Sequence, residues 1–245
     1  MEQGAIKAKK LFLVGVGPGS SKYLTDIAKE VIRKSEYVIG YKYTLSIIQD
    51  LLIPNFHQVF EVTMKDQDET YNEVYKKMQG NESCTIPFTG DVNFSESEVV
   101  DRLLEIFGDD NVELIPGISS IQVAASKAKI PLDKTRVLSF HVTEDIEDKK
   151  KELLQAILHK KSAVLVPRPW INNPEKNFMQ SDMAFYLKNA GVDTSKLIVW
   201  VFEFLTTEQE CVFRGRLNEL ENMNFSPMSV MVIDQVERKT YLEFM

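Results

Sequence analysis

The chain has 245 residues, 44% of them hydrophobic, and a formal net charge of −7 at pH 7. This length accommodates one large domain or two modest ones with a substantial buried core. The acidic balance argues against a dedicated nucleic-acid or anionic-membrane binder, because such proteins need a basic face for phosphate groups.

The cysteines and the apolar runs restrict the class further. Cys84 and Cys211 lie far apart without metal-ligand spacing, so neither a disulfide framework nor a metal site is indicated. The sequence starts with a charged segment, and its apolar runs are shorter than the roughly 18 residues that a membrane span needs. We therefore expect a cytoplasmic globular protein with no membrane or nucleic-acid partner.

In the first half of the chain, apolar runs of strand length alternate with amphipathic segments. Strands are predicted over residues 11–16, 36–40, 83–88 and 111–115. The segments 21–35 and 95–108 place apolar residues at helical spacing, and the serines at their starts are candidate helix caps. Such alternation is typical of βαβ units around a mostly parallel sheet.

The second half begins in the same way and then changes character. Residues 121–130 and the amphipathic segment 144–161 predict helices, and residues 135–140 and 162–167 predict strands. Three further strand-like segments with short connections predict antiparallel strands that complete a mixed sheet: residues 196–204, 209–215 and 228–234.

The fold class predicted from these elements is α/β, with one α/β domain on each side of a boundary near Gly117. The N-terminal domain would comprise residues 1–117 and the C-terminal domain residues 118–245. We expect a ligand cleft between them, since domain junctions are common sites for small ligands. The proline- and asparagine-rich segment 167–180 is either a loop over this cleft or a surface connection.

The first strand runs into the glycine-rich stretch GVGPG, residues 15–19. Gly15 and Gly17 fit the dinucleotide fingerprint G-x-G-x-x-G, but Ser20 occupies the third glycine position. Pro18 also lacks the backbone N–H that such a loop offers to an anion. A simple structural turn after the strand is a second interpretation of this stretch.

The fingerprint further requires an acidic residue at the end of the second strand to bind the ribose. Here Glu36 opens that strand, whereas Tyr41 and Lys42 stand at its far end. A nicotinamide-dependent oxidoreductase is therefore the less favoured alternative.

Three more loops follow predicted strands and carry polar or glycine residues. Gly90 and Asp91 follow the strand 83–88, and Ser119 and Ser120 open a helix, for which capping alone is a sufficient explanation. His141 ends another strand, where a lone histidine is often only structural. Because ligands bind at the carboxyl ends of strands in α/β proteins, we expect these loops to converge on one cleft.

In their order and spacing, six segments resemble the tetrapyrrole (corrin and porphyrin) methylases: LFLVGVGPGSSKYLT, FTGDVNF, IPGISSIQVAASKAKIP, LSFH, VFRGRLNEL and SVMVI. Within that family they are most similar to methyltransferases that act at carbon 5 of a precorrin or cobalt-precorrin. The resemblance extends over nearly the whole chain, and PGISSIQVAA followed by SFH is its most specific part.

The resemblance implies a fold of two α/β domains, S-adenosylmethionine bound in the cleft between them, and a homodimer. The cofactor-binding residues that it implies are Pro18, Thr89, Gly90, Asp91, Phe94, Ser119, Ser120, Val166 and Leu205. Pro18 would also stiffen a turn that faces the tetrapyrrole. The implied substrate-binding residues are Gly17, Lys42 and Arg168.

Methyl transfer from a sulfonium to an electron-rich carbon needs positioning and a polar environment more than a nucleophilic side chain or a metal. A proton must nevertheless move on the macrocycle, and the candidates to assist are Tyr41 and then His141. The carboxylate rim of a corrin precursor also requires cations. Of five cations in or beside predicted loops, we expect at least two to line the cleft: Lys42, Lys65, Arg136, Arg168 and Arg214.

The sequence departs from the family pattern in three loops. Val92 and Asn93 follow the aspartate where proline and glycine are usual, and Val142 and Thr143 follow the SFH histidine in place of glycine and arginine. Phe204 replaces asparagine in the Glu-Asn-Leu-Thr motif. Because cofactor contacts are largely through backbone, these changes bear more on substrate identity than on cofactor binding.

The residues and the resemblance leave three alternatives to a corrin methyltransferase. They are a protein methylase similar to the diphthine synthases, the nicotinamide-dependent oxidoreductase, and a non-catalytic protein that retains the cofactor fold. The sequence leaves open whether the substrate contains cobalt. It also leaves open whether a separate decarboxylating methyltransferase acts beside this protein.

Overall fold

The computed structural model describes residues 9–94, 96–170, 173 and 176–236. The chain divides into two compact units, Met1–Ser120 and Ile121–Met245. Within the described ranges, helices are too short or too polar to cross a lipid bilayer.

In the described part of the first unit, the strands are β1 (Lys10–Gly15), β2 (Tyr37–Tyr41), β3 (Gln58–Val62), β4 (Ser83–Phe88) and β5 (Val112–Ile115). Its helices are α1 (Asp26–Lys34), α2 (Lys42–Ile48), α3 (Gln67–Lys77) and α4 (Ser97–Phe107), and α5 (Ser120–Ala128) begins at the boundary. The strands form one parallel sheet in the order β3-β2-β4-β1-β5.

Both faces of this sheet are covered, which explains why its central strands are continuous apolar runs. In β1, Leu11 and Leu13 point into one hydrophobic cluster, whereas Val14 and the following Val16 point into the cluster on the other face. All four side chains are fully buried. The prediction of a parallel α/β sheet is confirmed.

The predicted serine caps are wrong for the first helix. Residues 21–23 form a short 3-10 turn, and α1 begins later, with the Thr25 hydroxyl accepting a hydrogen bond from the Ala28 N–H at 3.2 Å. At α4 the capping position is Glu96, whose side chain makes no capping hydrogen bond, and Ser95 lies outside the described residues.

The second unit contains the strands β6 (Thr135–Ser139), β7 (Ser162–Val166), β8 (Arg168–Pro169), β9 (Asn177–Phe178), β10 (Ile198–Glu203), β11 (Cys211–Arg216) and β12 (Ser229–Asp234). Its remaining helices are α6 (Glu147–Leu158) and α7 (Gln180–Asn189). The main sheet has the order β11-β10-β12-β7-β6, with β6 and β7 parallel and the other pairs antiparallel. The prediction of a mixed sheet is confirmed.

A single large hydrophobic cluster supports one face of this mixed sheet. Strand β10 contributes Val199 and Val201, and β12 contributes Met231 and Ile233, with α6 and α7 packed over them. In the segment 167–180, β8 and β9 form a small antiparallel pair. Residues 171, 172, 174 and 175 of that segment lie outside the described part of the chain.

Candidate functional site

The loops after β4, β1 and β5 lie side by side at one edge of the first sheet. These three strands are neighbours and parallel, so their carboxyl ends share that edge. This is the edge at which open α/β sheets bind ligands. The loops contain the predicted residues Gly17, Gly90 and Ser119.

The first two loops are joined through their backbones. Gly17 and Gly90 form an isolated antiparallel bridge, in which the Gly90 N–H donates to the Gly17 carbonyl at 2.7 Å and the Gly17 N–H donates to the Gly90 carbonyl at 3.2 Å. Their φ angles are +83° and +76°, a conformation that glycine adopts without a steric penalty. Pro18, next to this bridge, is buried.

The third loop, which follows β5, lies so close to the other two that only glycine fits at Gly15 and Gly117. A Cβ atom on Gly15 would lie 2.6 Å from the Gly117 nitrogen and 2.7 Å from the Gly90 carbonyl oxygen. Because backbone atoms cannot move aside as a flexible side chain can, these three glycines fix the spacing of all three loops. The glycine-rich stretch is therefore part of a backbone cradle built from several loops.

Asp91 ties two of these loops together. One carboxylate oxygen accepts a hydrogen bond from the Gly117 N–H at 3.0 Å, and the other accepts one from the Asn93 N–H at 2.7 Å. Both oxygens are thus engaged by the protein's own backbone. Val92 is 1% exposed in the core of the first unit, which accounts for a valine at this departure from the family pattern.

The edge of the cradle offers backbone groups and small side chains. Ser120 is the first residue of α5, and Thr89, Phe94 and Ser119 are partly exposed beside the glycine loops. A Cβ on Gly90 would have the Ser120 nitrogen as its nearest atom at 3.6 Å, so backbone rather than side chains surrounds this position. Such a surface fits a ligand held mainly through backbone contacts, as expected for the cofactor.

Tyr41 ends β2 at the same edge and belongs to a hydrogen-bonded cluster. Its hydroxyl lies 2.6 Å from Gln67 Oε1, which also accepts from the Tyr71 hydroxyl at 3.4 Å. Gln67 and Tyr71 are 2% and 1% exposed. Burial, and then the negative charge of Glu96, raises the pKa of Tyr41. At neutral pH this phenol is therefore a hydrogen-bond donor rather than a base.

Two of the five predicted cations lie at this edge. Lys42 follows β2 and Lys65 comes soon after β3, and both side chains are exposed. Among the described residues, neither lysine forms an ion pair with a carboxylate. They are free to meet an anionic group.

The other predicted cations have partners inside the second unit. Arg136 forms an ion pair with Glu152, and the Arg214 guanidinium lies 4.7 Å from the centre of the Trp200 ring. Arg168 is 4% exposed, and its Nη2 donates to the carbonyls of residues 143 and 144 at 2.7 and 2.8 Å. Arg168 Nε is buried and has no hydrogen-bond partner among the described residues.

His141 lies in the second unit and is exposed. Its ring is edge-on to Trp170, with ring centres 5.2 Å apart, and its backbone N–H donates to the Ser139 hydroxyl at 3.2 Å. The Arg168 guanidinium lies 5.3 Å from the same Trp170 ring. The predicted site residues His141, which follows β6, and Arg168, which follows β7, thus both contact the Trp170 ring.

The remaining predicted cofactor residues of the second unit are Val166 and Leu205. Val166 ends β7 and its carbonyl accepts the Phe140 N–H at 2.9 Å. Leu205 is 4% exposed and lies between Phe204 and Thr206, whose φ angles are +48° and +71°. Positive φ at a β-branched residue such as threonine is a genuine outlier, so this turn is held against its local preference.

Glu96 was not identified from the sequence as a candidate site residue. Glu96 is mostly buried, and burial raises its pKa to about 7. A glutamate before a helix is common on sequence grounds and gives no signal of burial. Its position is therefore apparent only in the folded structure.

Comparison with solved structures defines the fold. The chain superimposes on the methyltransferase CobJ with a TM-score of 0.73 and 14% identity, covering 95% of this chain and 98% of that one. A uroporphyrin-III C-methyltransferase from Thermus thermophilus, complexed with S-adenosylhomocysteine, gives a TM-score of 0.66 at 19% identity, with 91% of both chains covered. These likenesses establish a methylase fold.

The family follows from the sequence itself. Residues 10–221 match the family model of the Tetrapyrrole (Corrin/Porphyrin) Methylases. The chain is 30% identical over 227 residues to a probable cobalt-precorrin-7 C(5)-methyltransferase from Methanocaldococcus jannaschii, covering 91% of this chain and 97% of that protein. The chain belongs to the tetrapyrrole methylase family and is a methyltransferase of that family. The expected fold and family are confirmed.

Proposed function

We propose that the protein is an S-adenosylmethionine-dependent C-methyltransferase of cobalamin biosynthesis that methylates carbon 5 of a precorrin or cobalt-precorrin. The observation that carries this proposal is the 30% identity to the Methanocaldococcus jannaschii relative, which extends over 97% of that protein. A relative with this name matched over nearly its full length supports the same substrate class here.

The backbone cradle supports S-adenosylmethionine as the methyl donor. The Thermus thermophilus neighbour of the same fold is complexed with S-adenosylhomocysteine, the demethylated product of that donor. In this chain Gly90, Ser119 and Ser120 offer backbone and hydroxyl groups at a ligand-binding edge. Asp91 would act indirectly, since its carboxylate holds the loops rather than facing a ligand.

The substrate would meet the first unit at Tyr41 and the two exposed lysines. Lys42 and Lys65 could neutralise acetate or propionate groups on the rim of a corrin precursor. The Tyr41 hydroxyl would donate a hydrogen bond and help to hold the macrocycle in place. Arg168 and His141 remain proposed contacts contributed by the second unit.

Methyl transfer is an in-line displacement, so the protein's contribution is to hold the acceptor carbon against the donor and to exclude water. S-adenosylmethionine supplies an electrophilic methyl group on a sulfonium. Fixed loops suit this task, because the glycine contacts leave the cradle little freedom to move. We further propose a homodimer, a cytoplasmic location, and a cofactor cleft between residues 1–117 and 118–245.

Two measurements test the function in sequence. Calorimetric titration should show binding of S-adenosylhomocysteine and none of NAD, and binding of NAD alone would overturn the proposal. Turnover should then be measured with cobalt-precorrin-7 and with metal-free precorrin-7, and NMR of the product should locate the new methyl group on carbon 5. A methyl group on another carbon would keep the enzyme class and reject the assigned position.

The two lysines provide a test of the substrate class. The double substitution of Lys42 and Lys65 by methionine should raise KM for the corrin precursor about tenfold or more, since each lost charge pair in a partly desolvated site costs of the order of 1 kcal/mol. S-adenosylhomocysteine affinity should not change. Lys76 and Lys77 in α3 offer a matched pair for the same substitutions away from Tyr41.

A further inference from the structure

Glu96 and Tyr41 lie at the same edge of the first sheet, because the strands that precede them are neighbours. Strand β2 pairs with β4 in parallel, so Tyr41 at the end of β2 and the loop after β4 occupy the same edge of the sheet. Glu96 closes that loop and immediately precedes α4. It stands six positions after Gly90, so one loop connects the backbone cradle to this carboxyl group.

Within the described part of the chain, the Glu96 side chain takes part in neither helix capping nor ion pairing. The nearby cation Arg102 forms its ion pair with Asp68, at 3.0 Å, and donates from Nε to the Glu98 carbonyl at 3.2 Å. A largely buried carboxyl whose pKa is raised by desolvation, at an edge where ligands bind, is a candidate functional group.

The cluster at this edge contains two phenols and several charged groups besides Glu96. Tyr41 and Tyr71 are neutral phenols with raised pKa values, and both donate to Gln67. The charged groups that act on the cluster besides Glu96 are Asp66, Asp68 and Arg102. Glu96 has a pKa of about 7, because burial disfavours its ionised form.

We propose that the Glu96 carboxylate is the base that accepts the proton which the substrate loses after methyl transfer. This inference rests on the proposed function. The S–CH3 bond of the sulfonium breaks and its electron pair stays on sulfur, while a π pair of the acceptor carbon forms the new C–C bond. The macrocycle then has one more positive charge and loses a proton, whose bonding pair returns to the ring. Glu96 becomes a carboxylic acid and later releases the proton to water.

In this proposal Tyr41 and Glu96 have different roles. Tyr41 donates a hydrogen bond and positions the macrocycle, and Glu96 takes the proton. Burial and the negative charge of Glu96 both raise the pKa of Tyr41, so the phenol keeps its proton and can donate it in a hydrogen bond. Glu96 thus replaces Tyr41 and His141 as the candidate for proton transfer.

The decisive experiment is the pH profile of kcat with cobalt-precorrin-7 as substrate. The wild-type rate should rise with pH through an apparent pKa near 7, because only the ionised carboxylate accepts a proton. Glu96→Gln should lower kcat by about a hundredfold and abolish that rising limb. Glu96→Asp should be slower than wild type but keep a titrating limb. Glu105→Gln, an exposed glutamate on the same helix, should behave as wild type.

A second readout does not depend on turnover. In protein labelled with ¹³C at the glutamate side-chain carboxyl, one resonance should titrate near pH 7 and be missing from Glu96→Gln. S-adenosylhomocysteine should bind both proteins equally, which shows that the variant is folded. If every glutamate titrates near its ordinary pKa, Glu96 is an exposed or paired acid and the proposal is wrong.

The possible failures can be told apart. If the wild-type protein methylates neither cobalt-precorrin-7 nor metal-free precorrin-7, the proposed function fails and this inference falls with it. If the wild type is active and Glu96→Gln retains the wild-type rate and pH profile, the base lies elsewhere and only this inference is overturned.

Discussion

The two units fix their predicted ligand loops by different means. In the first unit, three glycine-containing loops contact one another through backbone atoms, with Gly15 and Gly117 too close for any side chain. In the second unit, the turn after β10 contains Phe204 and Thr206 at positive φ and is held by side chains. The first arrangement leaves no room for a Cβ at Gly15 and Gly117, and the second is held by side-chain hydrogen bonds.

The two constructions should respond differently to substitutions. In the first unit, a Cβ added at Gly15 or Gly117 would overlap backbone atoms of the neighbouring loops. The turn in the second unit is held by Glu210, which accepts the Thr206 N–H at 2.7 Å and the Lys127 ammonium at 2.6 Å. Its stability therefore depends on a charge, and substitutions should separate the two kinds of construction.

The largest effect is expected for Gly15→Ala. The added Cβ would overlap backbone atoms of Gly117 and Gly90, so the loops must separate, and we expect a loss of more than about 3 kcal/mol in the free energy of unfolding. The control is Gly191→Ala in the second unit, where no atom lies within 4 Å and φ is +85°. That change should cost only about 1 kcal/mol, from backbone conformation alone. Denaturant unfolding measures both, and equal losses would contradict the overlap argument.

Asp91→Ala should have the next largest effect. It leaves the N–H groups of Gly117 and Asn93 without their acceptor, at a cost of about 2 kcal/mol. Because the substitution removes the hydrogen bonds that join the two loops, the affinity for S-adenosylhomocysteine should fall as well. Calorimetry should show a decrease of about tenfold. Asp101→Ala changes an exposed aspartate of α4 and should leave both quantities unchanged. Normal cofactor affinity in Asp91→Ala would mean that the carboxylate does not position the loops.

Glu210→Gln should be milder and dependent on pH. Burial would raise the pKa of Glu210, but the hydrogen bonds from Lys127 and Thr206 outweigh it, so the pKa lies below its ordinary value of 4.5. The ionised form therefore adds stability above that pH, and this contribution is lost as the pH falls through the lowered pKa. We expect Glu210→Gln to cost about 1 kcal/mol at pH 7 and less at pH 3. A loss of the same size at both pH values would show that the charge is not involved.

The central strands and the glycine loops were predictable because their signals are local. Strands β1 and β4 are buried on both faces and are therefore continuous apolar runs, and a glycine with a polar residue after such a run marks the ligand edge. Strand β3 was not predicted. It lies at the edge of its sheet, and of its five residues only Val62 is buried, so it shows no apolar run.

The helices α2 and α3, between residues 42 and 77, were not predicted either, and neither was the role of Glu96. The pKa of Glu96 comes from its burial in the folded chain, which no pattern within α4 indicates. Conversely, Asp91 was found from its position, but its role was not, because its partner Gly117 is 26 residues away along the chain. The sequence predicts which loops matter, whereas the contacts between loops require the fold.

The smallest effect is expected from relieving the strained turn itself. Thr206 is β-branched at φ +71°, so Thr206→Gly removes a steric penalty of about 1–2 kcal/mol from the folded state. The glycine also raises the conformational entropy of the unfolded chain, which lowers the free energy of unfolding by roughly 0.5–1 kcal/mol. The Thr206 N–H can still donate to Glu210 after the substitution. We therefore expect a net gain in the free energy of unfolding of about 0.5 kcal/mol.

Asn55 in the first unit is the matched position for this comparison. Its φ is +66°, but asparagine tolerates the left-handed region, so Asn55→Gly relieves little strain and should be neutral or slightly destabilising. Parallel thermal and denaturant unfolding of the two variants would reveal the sign of each change. A loss of stability in Thr206→Gly would mean that packing of the threonine side chain outweighs its backbone strain. The turn after β10 would then depend on side-chain contacts in addition to the ion pair between Glu210 and Lys127.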